Sequence, residues 1–216
     1  MEIVNVEAIF FDVDGTLVDS RKDIAIAMNF ALRGLGLVEK PEEVIVSYIG
    51  TGVRDLIKKS IGNGDEDLID KGVKLYSDHY MAHAIDHAGI YPGVVRTLEH
   101  FSLKRKFILT NRYSGFADAT LKGLGLRGYF EDIIGGDDES CLKPSACVMD
   151  RALPRFGLDR TRSMIVGDMA IDIMTGKNSG IRTCFVTYGL GKLGDVETLG
   201  PDFVIGRMDE LIDIIK

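Results

Sequence analysis

This sequence predicts a doubly wound α/β fold: a parallel sheet with helices on both faces and a small all-helical segment inserted after the first strand. Three observations lead there. Residues 8–11 are apolar at every position, as a strand covered on both faces requires. From Tyr91 onward, strand-like and helix-like segments alternate, which implies right-handed crossovers and a parallel sheet. Between these two regions, residues 20–89 read as helix after helix with no strand. The division that follows is an α/β core of residues 1–19 and 90–216, with residues 20–89 as a helical cap.

Taken in order, the first strand ends at Asp12, and Gly15 supports a turn. Ile24, Ala27, Met28, Ala31, Leu32 and Leu35 recur at helical spacing, so residues 23–33 predict an amphipathic helix ended by Gly34 and Gly36. Pro41 suits the first turn of a second helix reaching Tyr48. Gly50-Thr51-Gly52 breaks the pattern before a third helix at 53–60, and Gly62-Asn63-Gly64 breaks it before a fourth at 67–87. Tyr91-Pro92-Gly93 then turns the chain back to the core. Strands are predicted at 106–110, 132–135, 163–168, 183–187 and 203–205, with helices at 117–124, 146–156, 171–179 and 208–215.

Bulk properties narrow the function. With 45% hydrophobic and 27% charged residues, the chain has the material for a real core. A formal charge of -7 opposes non-specific nucleic-acid binding, which needs basic surface. No apolar run approaches a membrane span, and Met1 to Glu7 carries two acids and no basic stretch, so neither a membrane segment nor a signal peptide is expected. Cys141, Cys147 and Cys184 make no Cys-x-x-Cys pair and are odd in number. They are read as packed thiols in a reducing cytoplasm rather than a disulfide framework or zinc site. A monomer or homodimer is expected.

The strand ends carry the chemistry, because ligands of a doubly wound sheet bind beyond the carboxyl ends of its strands. Those ends read Asp12-Val13-Asp14-Gly15-Thr16, then Thr110-Asn111-Arg112, then Asp137-Asp138 with Lys143-Pro144 following, then Gly167-Asp168 with Asp172 one helical turn on. Acids at one loop are ordinary turn chemistry. The same polarity at four strand ends on one rim points to a site. Two acids ending a buried strand cost free energy unless a cation compensates them.

Residues 12–20, Asp-Val-Asp-Gly-Thr-Leu-Val-Asp-Ser, resemble the first signature of the haloacid dehalogenase-like hydrolases. Thr110-Asn111 is similar to the second signature, Lys143-Pro144 to the third, and Gly167-Asp168 with Asp172 to the fourth. The position of the helical insert also resembles that family's small cap, so the likeness covers most of the chain. It implies a Mg²⁺-dependent phosphatase that hydrolyses a small phosphorylated metabolite through an aspartyl-phosphate. In that scheme Asp12 is the nucleophile, and Mg²⁺ is held by the Asp12 carboxylate, the Asp14 main-chain carbonyl and Asp168. Asp172 holds the metal's waters or orients Lys143. The Thr110 hydroxyl, with backbone N–H groups at Asn111 and around Gly15 and Thr16, grips phosphate oxygens, while Lys143 offsets the charge of Asp12 and the phosphoryl group. Asp14 is the general acid and base. An acid at that position resembles the phosphatase and mutase branches rather than the dehalogenase or phosphonatase branches.

Two positions depart from the pattern. Arg112 stands where relatives often carry Lys, and it reads either as a substrate contact or as a solvated loop residue. Met169 stands where a small hydroxyl residue commonly follows the aspartate, which alters nearby hydrogen bonds and leaves the metal ligand in place.

Residues 49–56, Ile-Gly-Thr-Gly-Val-Arg-Asp-Leu, resemble the cap loop of the phosphoglycolate phosphatases, which implies that Gly50 dips toward substrate and Arg54 meets a carboxylate on the leaving group. An ordinary surface arginine is the competing reading of Arg54. His79, His83 and His87 share one helix face and read as its polar side rather than as a metal site. Phe30, Tyr48, Tyr76 and Tyr80 read as cap core. A phosphoglycolate-like phosphomonoester is the leading substrate class. A sugar-phosphate mutase, a pyrophosphatase and a non-catalytic phospholigand-binding protein are the alternatives.

Overall fold

Ala8–Phe11 forms β1, at the centre of a six-stranded parallel sheet. The computed structural model describes residues 3–62 and 64–216, so the acidic start at Met1 and Glu2 and the turn residue Asn63 lie outside the described residues. After β1 the chain passes a two-residue strand, β2 (Val18–Asp19), into α1 (Arg21–Gly34), α2 (Glu42–Val46), α3 (Val53–Ile61) and α4 (Glu66–His83). It returns through β3 (Gly89–Ile90), antiparallel to β2. Then come α5 (Val94–His100), β4 (Arg105–Leu109), α6 (Ser114–Gly123), β5 (Asp132–Ile134), α7 (Cys147–Phe156) and β6 (Ser163–Gly167). The last elements are α8 (Ala170–Ser179), β7 (Arg182–Val186), α9 (Leu193–Val196) and β8 (Phe203–Ile205). Across the sheet the order is β5-β4-β1-β6-β7-β8, with every neighbouring pair parallel.

The period of two along β1 explains why its residues are all apolar. Ala8 and Phe10 enter one layer, beside Phe107, Ile165 and the α7 residues Met149 and Leu153. Phe10 stacks on Phe107 with ring centroids 5.1 Å apart. Ile9 and Phe11 enter the opposite layer, beside Ile108, Val166 and Leu121 of α6. Both faces are covered, so no position is left for a polar side chain.

The four inserted helices have a core of their own. Met28 and Leu32 of α1, Ile45 of α2, Ile57 of α3 and Tyr76 and Tyr80 of α4 pack together, joined by Phe116 from α6. Tyr48 packs against this cluster as expected. Phe30 does not: it is 38% exposed and its ring lies tilted 4.4 Å from that of His79, with His79 in turn beside His83.

Several expectations at element ends need correction. The fourth helix stops at His83 rather than reaching residue 87, because buried Asp23 accepts the backbone N–H groups of His87 and Ala88 and turns the chain out of helix. His87 also meets Asp23 through Nδ1 at 2.8 Å, so it leaves the row of histidines. α5 and the β2–β3 pair are too short to show a period in sequence. The last helix is a 3₁₀ helix, Met208–Asp213. Cys141 and Cys147, expected as separate thiols, are joined sulfur to sulfur with Cα atoms 5.7 Å apart, and Cys184 is free and buried. The turn that enters α7 folds those two positions back on each other, which a spacing of six residues does not reveal. Among the described residues, no helix is long and apolar enough to cross a membrane.

Candidate active site

β1, β4 and β6 are adjacent, so their carboxyl ends deliver Asp12, Thr110 and Asp168 to one place. The Asp12 N–H donates to the Val166 carbonyl at 3.0 Å, which extends the sheet one residue past β1 and fixes where that side chain emerges. Lys143, on the loop after β5, places Nζ 2.9 Å from Asp12 Oδ1 and 2.6 Å from Asp172 Oδ1. The first contact is an ion pair not aligned as a hydrogen bond; the second is both. Burial pulls the Lys143 ammonium down, but Asp12 and Asp172 outweigh it and raise it above its ordinary value.

One carboxylate oxygen from each of Asp12, Asp168 and Asp172 lies within 4.8 Å of the others, and all three residues are buried. Burial and the neighbouring charges of Asp12 and Asp172 push the Asp168 carboxyl up to about 8. Burial lifts Asp172 to about 6, against the pull of Lys143 and with Asp12 adding to the rise. Acids held this far above their ordinary range lack positive charge, and a hard cation bound by oxygens supplies it. The donor set therefore fits a divalent metal. Asp168 is already oriented for it, since Thr16 Oγ1 donates to one oxygen and the Leu190 N–H to the other, each at 2.7 Å.

The other residues singled out in sequence separate into two groups. Gly15 turns with φ +84°, and a Cβ there would lie 2.2 Å from Asp168 Oδ2, so the turn belongs to the carboxylate cluster. Thr16 reaches Asp168 through its hydroxyl and is thereby a support of that carboxylate. Asn111 is buried and uses its whole amide: Nδ2 donates to the Gly50 and Lys143 carbonyls, both at 2.9 Å, and Oδ1 accepts the Lys143 N–H at 2.8 Å. Gly50 thus does reach the core, through its backbone. Asp172 Oδ2 accepts the Met169 N–H at 3.0 Å, so Met169 supports the cluster by its main chain. Arg54 is not brought to the site. It pairs with Glu66 and, at 2.6 Å, with Asp70 on the flank of the helices. Asp137 accepts the Ser114 N–H and Asp138 pairs with Arg151, so these acids also stay outside.

Arg112 is the reverse case. It is only 7% exposed, not a solvated loop residue. Its Nη1 donates to Asp14 Oδ1 at 2.6 Å, and its guanidinium lies 4.5 Å from the centre of the Tyr80 ring. Asp14 also accepts from Ser20. Burial raises the Asp14 carboxyl above its ordinary value, Arg112 works against the rise, and Asp12 adds to it. Ser20 and Tyr80 were not expected here. Ser20 ends the first signature and had no assigned partner, while Tyr80 carries only a core pattern in sequence.

Together Asp12, Asp14, Thr110, Asn111, Arg112 and Lys143 line a cavity roofed by Ile49, Gly50, Val53, Leu56 and Tyr76 from the helices. It measures about 30 Å³, room for very few waters. An adjoining cleft of about 280 Å³, lined by Thr51, Arg54, Lys58, Tyr113 and Glu139, shares Gly52 and Val53 with it.

The comparisons with known proteins agree with this geometry. The family model for haloacid dehalogenase-like hydrolase matches residues 9–186. The phosphoglycolate phosphatase of Aquifex aeolicus is 34% identical, covering 96% of this chain and 95% of that protein. The phosphoglycolate phosphatase of Chromobacterium violaceum is 33% identical, covering 100% of this chain and 99% of that protein. Among solved structures, a predicted phosphoglycolate phosphatase from Haemophilus somnus 129pt superposes with a TM-score of 0.89 at 24% identity, covering 97% of this chain and 98% of that one.

Proposed function

The chain belongs to the haloacid dehalogenase-like hydrolases, and we propose that within that family it is a Mg²⁺-dependent phosphatase of a small phosphomonoester of the phosphoglycolate type. One observation carries the reading. A nucleophile-competent carboxylate, a charged lysine and a threonine hydroxyl line one cavity, and Asp12 joins that cavity to the buried carboxylate cluster it forms with Asp168 and Asp172. The helices that roof the cavity act as the cap, and Ile49, Val53 and Leu56 give it an apolar roof.

In this mechanism Asp12 Oδ attacks phosphorus in line, forming the carboxyl-to-phosphoryl bond as the ester P–O bond breaks. Asp14, whose carboxyl burial raises above its ordinary value against the pull of Arg112, delivers a proton to the leaving oxygen. In the second half, water attacks the aspartyl-phosphate, Asp14 takes the water's proton, and the Asp12 carboxylate is regenerated with release of inorganic phosphate. Lys143 balances charge on Asp12 throughout, and the Thr110 hydroxyl donates to a phosphoryl oxygen. Asp12 and Asp168 would hold the metal, with Asp172 supporting it and fixing Lys143. With a divalent cation held there, the repulsion between the Asp12 carboxylate and the phosphate dianion would be screened.

The test is phosphate release from a panel of phosphoesters with Mg²⁺, including phosphoglycolate, sugar phosphates and pyrophosphate. The expected outcome is turnover of the small phosphomonoester and a loss of about 10³-fold or more in kcat for Asp12→Asn. Retained turnover in that variant would remove Asp12 from the nucleophile's role.

A further inference from the structure

The catalytic cavity holds one cation whose donors are not all met. Lys143 is taken up by Asp12 and Asp172, and Arg54 by Glu66 and Asp70 outside the cavity. Arg112 donates Nη1 to Asp14, but its Nε and Nη2 are buried without an acceptor among the described residues. A buried donor on a charged group is costly to leave unmet. The side chain cannot turn to water to relieve it without leaving both Asp14 and the face of Tyr80.

We propose that Arg112 binds a carboxylate on the substrate's leaving group and is the residue that selects such substrates. This rests on the phosphatase reading above and says which phosphomonoesters the site accepts. Nε and Nη2 form the side-on edge of the guanidinium, two parallel donors that match the two oxygens of a carboxylate. The phosphoryl group itself is met by Thr110 and Lys143, so the Arg112 edge is left for a second anion. Its place follows from Nη1, which holds Asp14, the acid assigned to the ester oxygen. The free edge of the same planar group therefore lies only a few bonds beyond that oxygen. One guanidinium spans both groups, Nη1 on Asp14 and the other two nitrogens on the free edge, so the connection from ester oxygen to carboxylate is short, as in an ester of an α-hydroxy acid. Ile49, Val53, Leu56 and Tyr76 offer the leaving group apolar walls and no competing charge. Arg54, the carboxylate partner suggested by the cap-loop likeness, is thereby replaced by a residue from the end of β4.

The test measures kcat/KM with Mg²⁺ for phosphoglycolate and for ethyl phosphate, which lacks the carboxylate, in four proteins: wild type, Arg112→Met, Arg112→Lys and Arg54→Ala. The ratio between the two esters cancels any effect of Arg112 on the acidity of Asp14. Wild type is expected to favour phosphoglycolate by about 100-fold or more, a modest share of the roughly 10⁴-fold by which a site built for a polar group rejects an analogue lacking it. Arg112→Met should lower that ratio at least tenfold, mainly through KM for phosphoglycolate, with Arg112→Lys recovering part of it and Arg54→Ala leaving it in place. A wild-type ratio within about threefold of unity overturns the proposal, as does an unchanged ratio in Arg112→Met or a collapse confined to Arg54→Ala. The wild-type ratio and Arg112→Lys decide the matter even where Arg112→Met does not fold. If wild type releases phosphate from neither ester nor any of the panel, the phosphatase reading fails first; turnover without discrimination removes only the role of Arg112.

Discussion

The fold shifts the carboxyls of Asp168 and Asp172 toward neutral pH. Their folded values, about 8 and about 6, both lie above the ordinary carboxylate value of 3.8. A group raised in the folded state binds protons there that the unfolded chain has already released, so stability falls as pH rises through the folded value. For these two acids the loss runs from about pH 4 to pH 8 and is complete above it. Without metal, the melting temperature is therefore expected to drop between pH 7 and pH 9 by about 5 °C. Mg²⁺ should remove that drop, raising the melting temperature more at pH 9 than at pH 7; an equal rise at both would separate the acids from the metal. At this scale Asp12, Asp14, Lys143, Asp168 and Asp172 were legible, because each sits at a fixed offset from a strand end. The two arginines were not. Arg54 and Arg112 differ in what surrounds them, Glu66 and Asp70 in one case and Asp14 and Tyr80 in the other, and those neighbours lie 12 to 98 positions away in the chain.

Short loops, more than the strands and helices, bind these residues into a site. The Gly15 turn passes so close to Asp168 that a methyl group would sit 2.2 Å from its Oδ2, at a φ of +84° that a Cβ disfavours. Gly15→Ala is expected to displace the carboxylate and lower kcat by about 100-fold, with Mg²⁺ affinity falling as well, as isothermal titration would show. Asn111 ties three loops at once: its own after β4, the Gly50 turn before α3, and the Lys143 loop before α7. Asn111→Ala leaves the Lys143 N–H and two carbonyls without their partner, at a cost of about 1–3 kcal/mol for each one left buried and unmet. Urea unfolding should register that loss, and kcat should fall with it because Lys143 is no longer held. Elements with several periods, such as α1 and β6, were read from sequence within a residue or two. The end of α4 was not, because Asp23, more than 60 positions away, takes the backbone donors that would have continued it.

The molecule has a core on each face of the sheet and another among the inserted helices, and Phe116 stands where the helical one meets the sheet. It stands on α6, whose Ala117 and Leu121 pack toward the sheet, yet its ring lies with Tyr76 and Tyr80 of α4 at 5.9 and 5.3 Å. Tyr80 adds a hydrogen-bonding contact of 3.1 Å to Thr120 on the same helix. The helical cluster is thus completed by a side chain from the core, and its face would be open if the helices swung away. That layering could be foreseen from alternating elements after a helical insert, but the junction could not, since Phe116 reads in sequence as one more apolar position of an ordinary helix. Phe116→Ala should cost about 3–5 kcal/mol, the loss of a large buried aromatic with the cavity it leaves. Because the ring is shared, the loss should fall on the seating of the helices as well as on overall stability. The expected signature is a single unfolding transition at lower urea, together with a raised KM from a roof that closes less often over Asp12 and Asp14. Two separate transitions in the wild type, or a variant that loses stability with KM unchanged, would mean that the helices seat over the site without this contact.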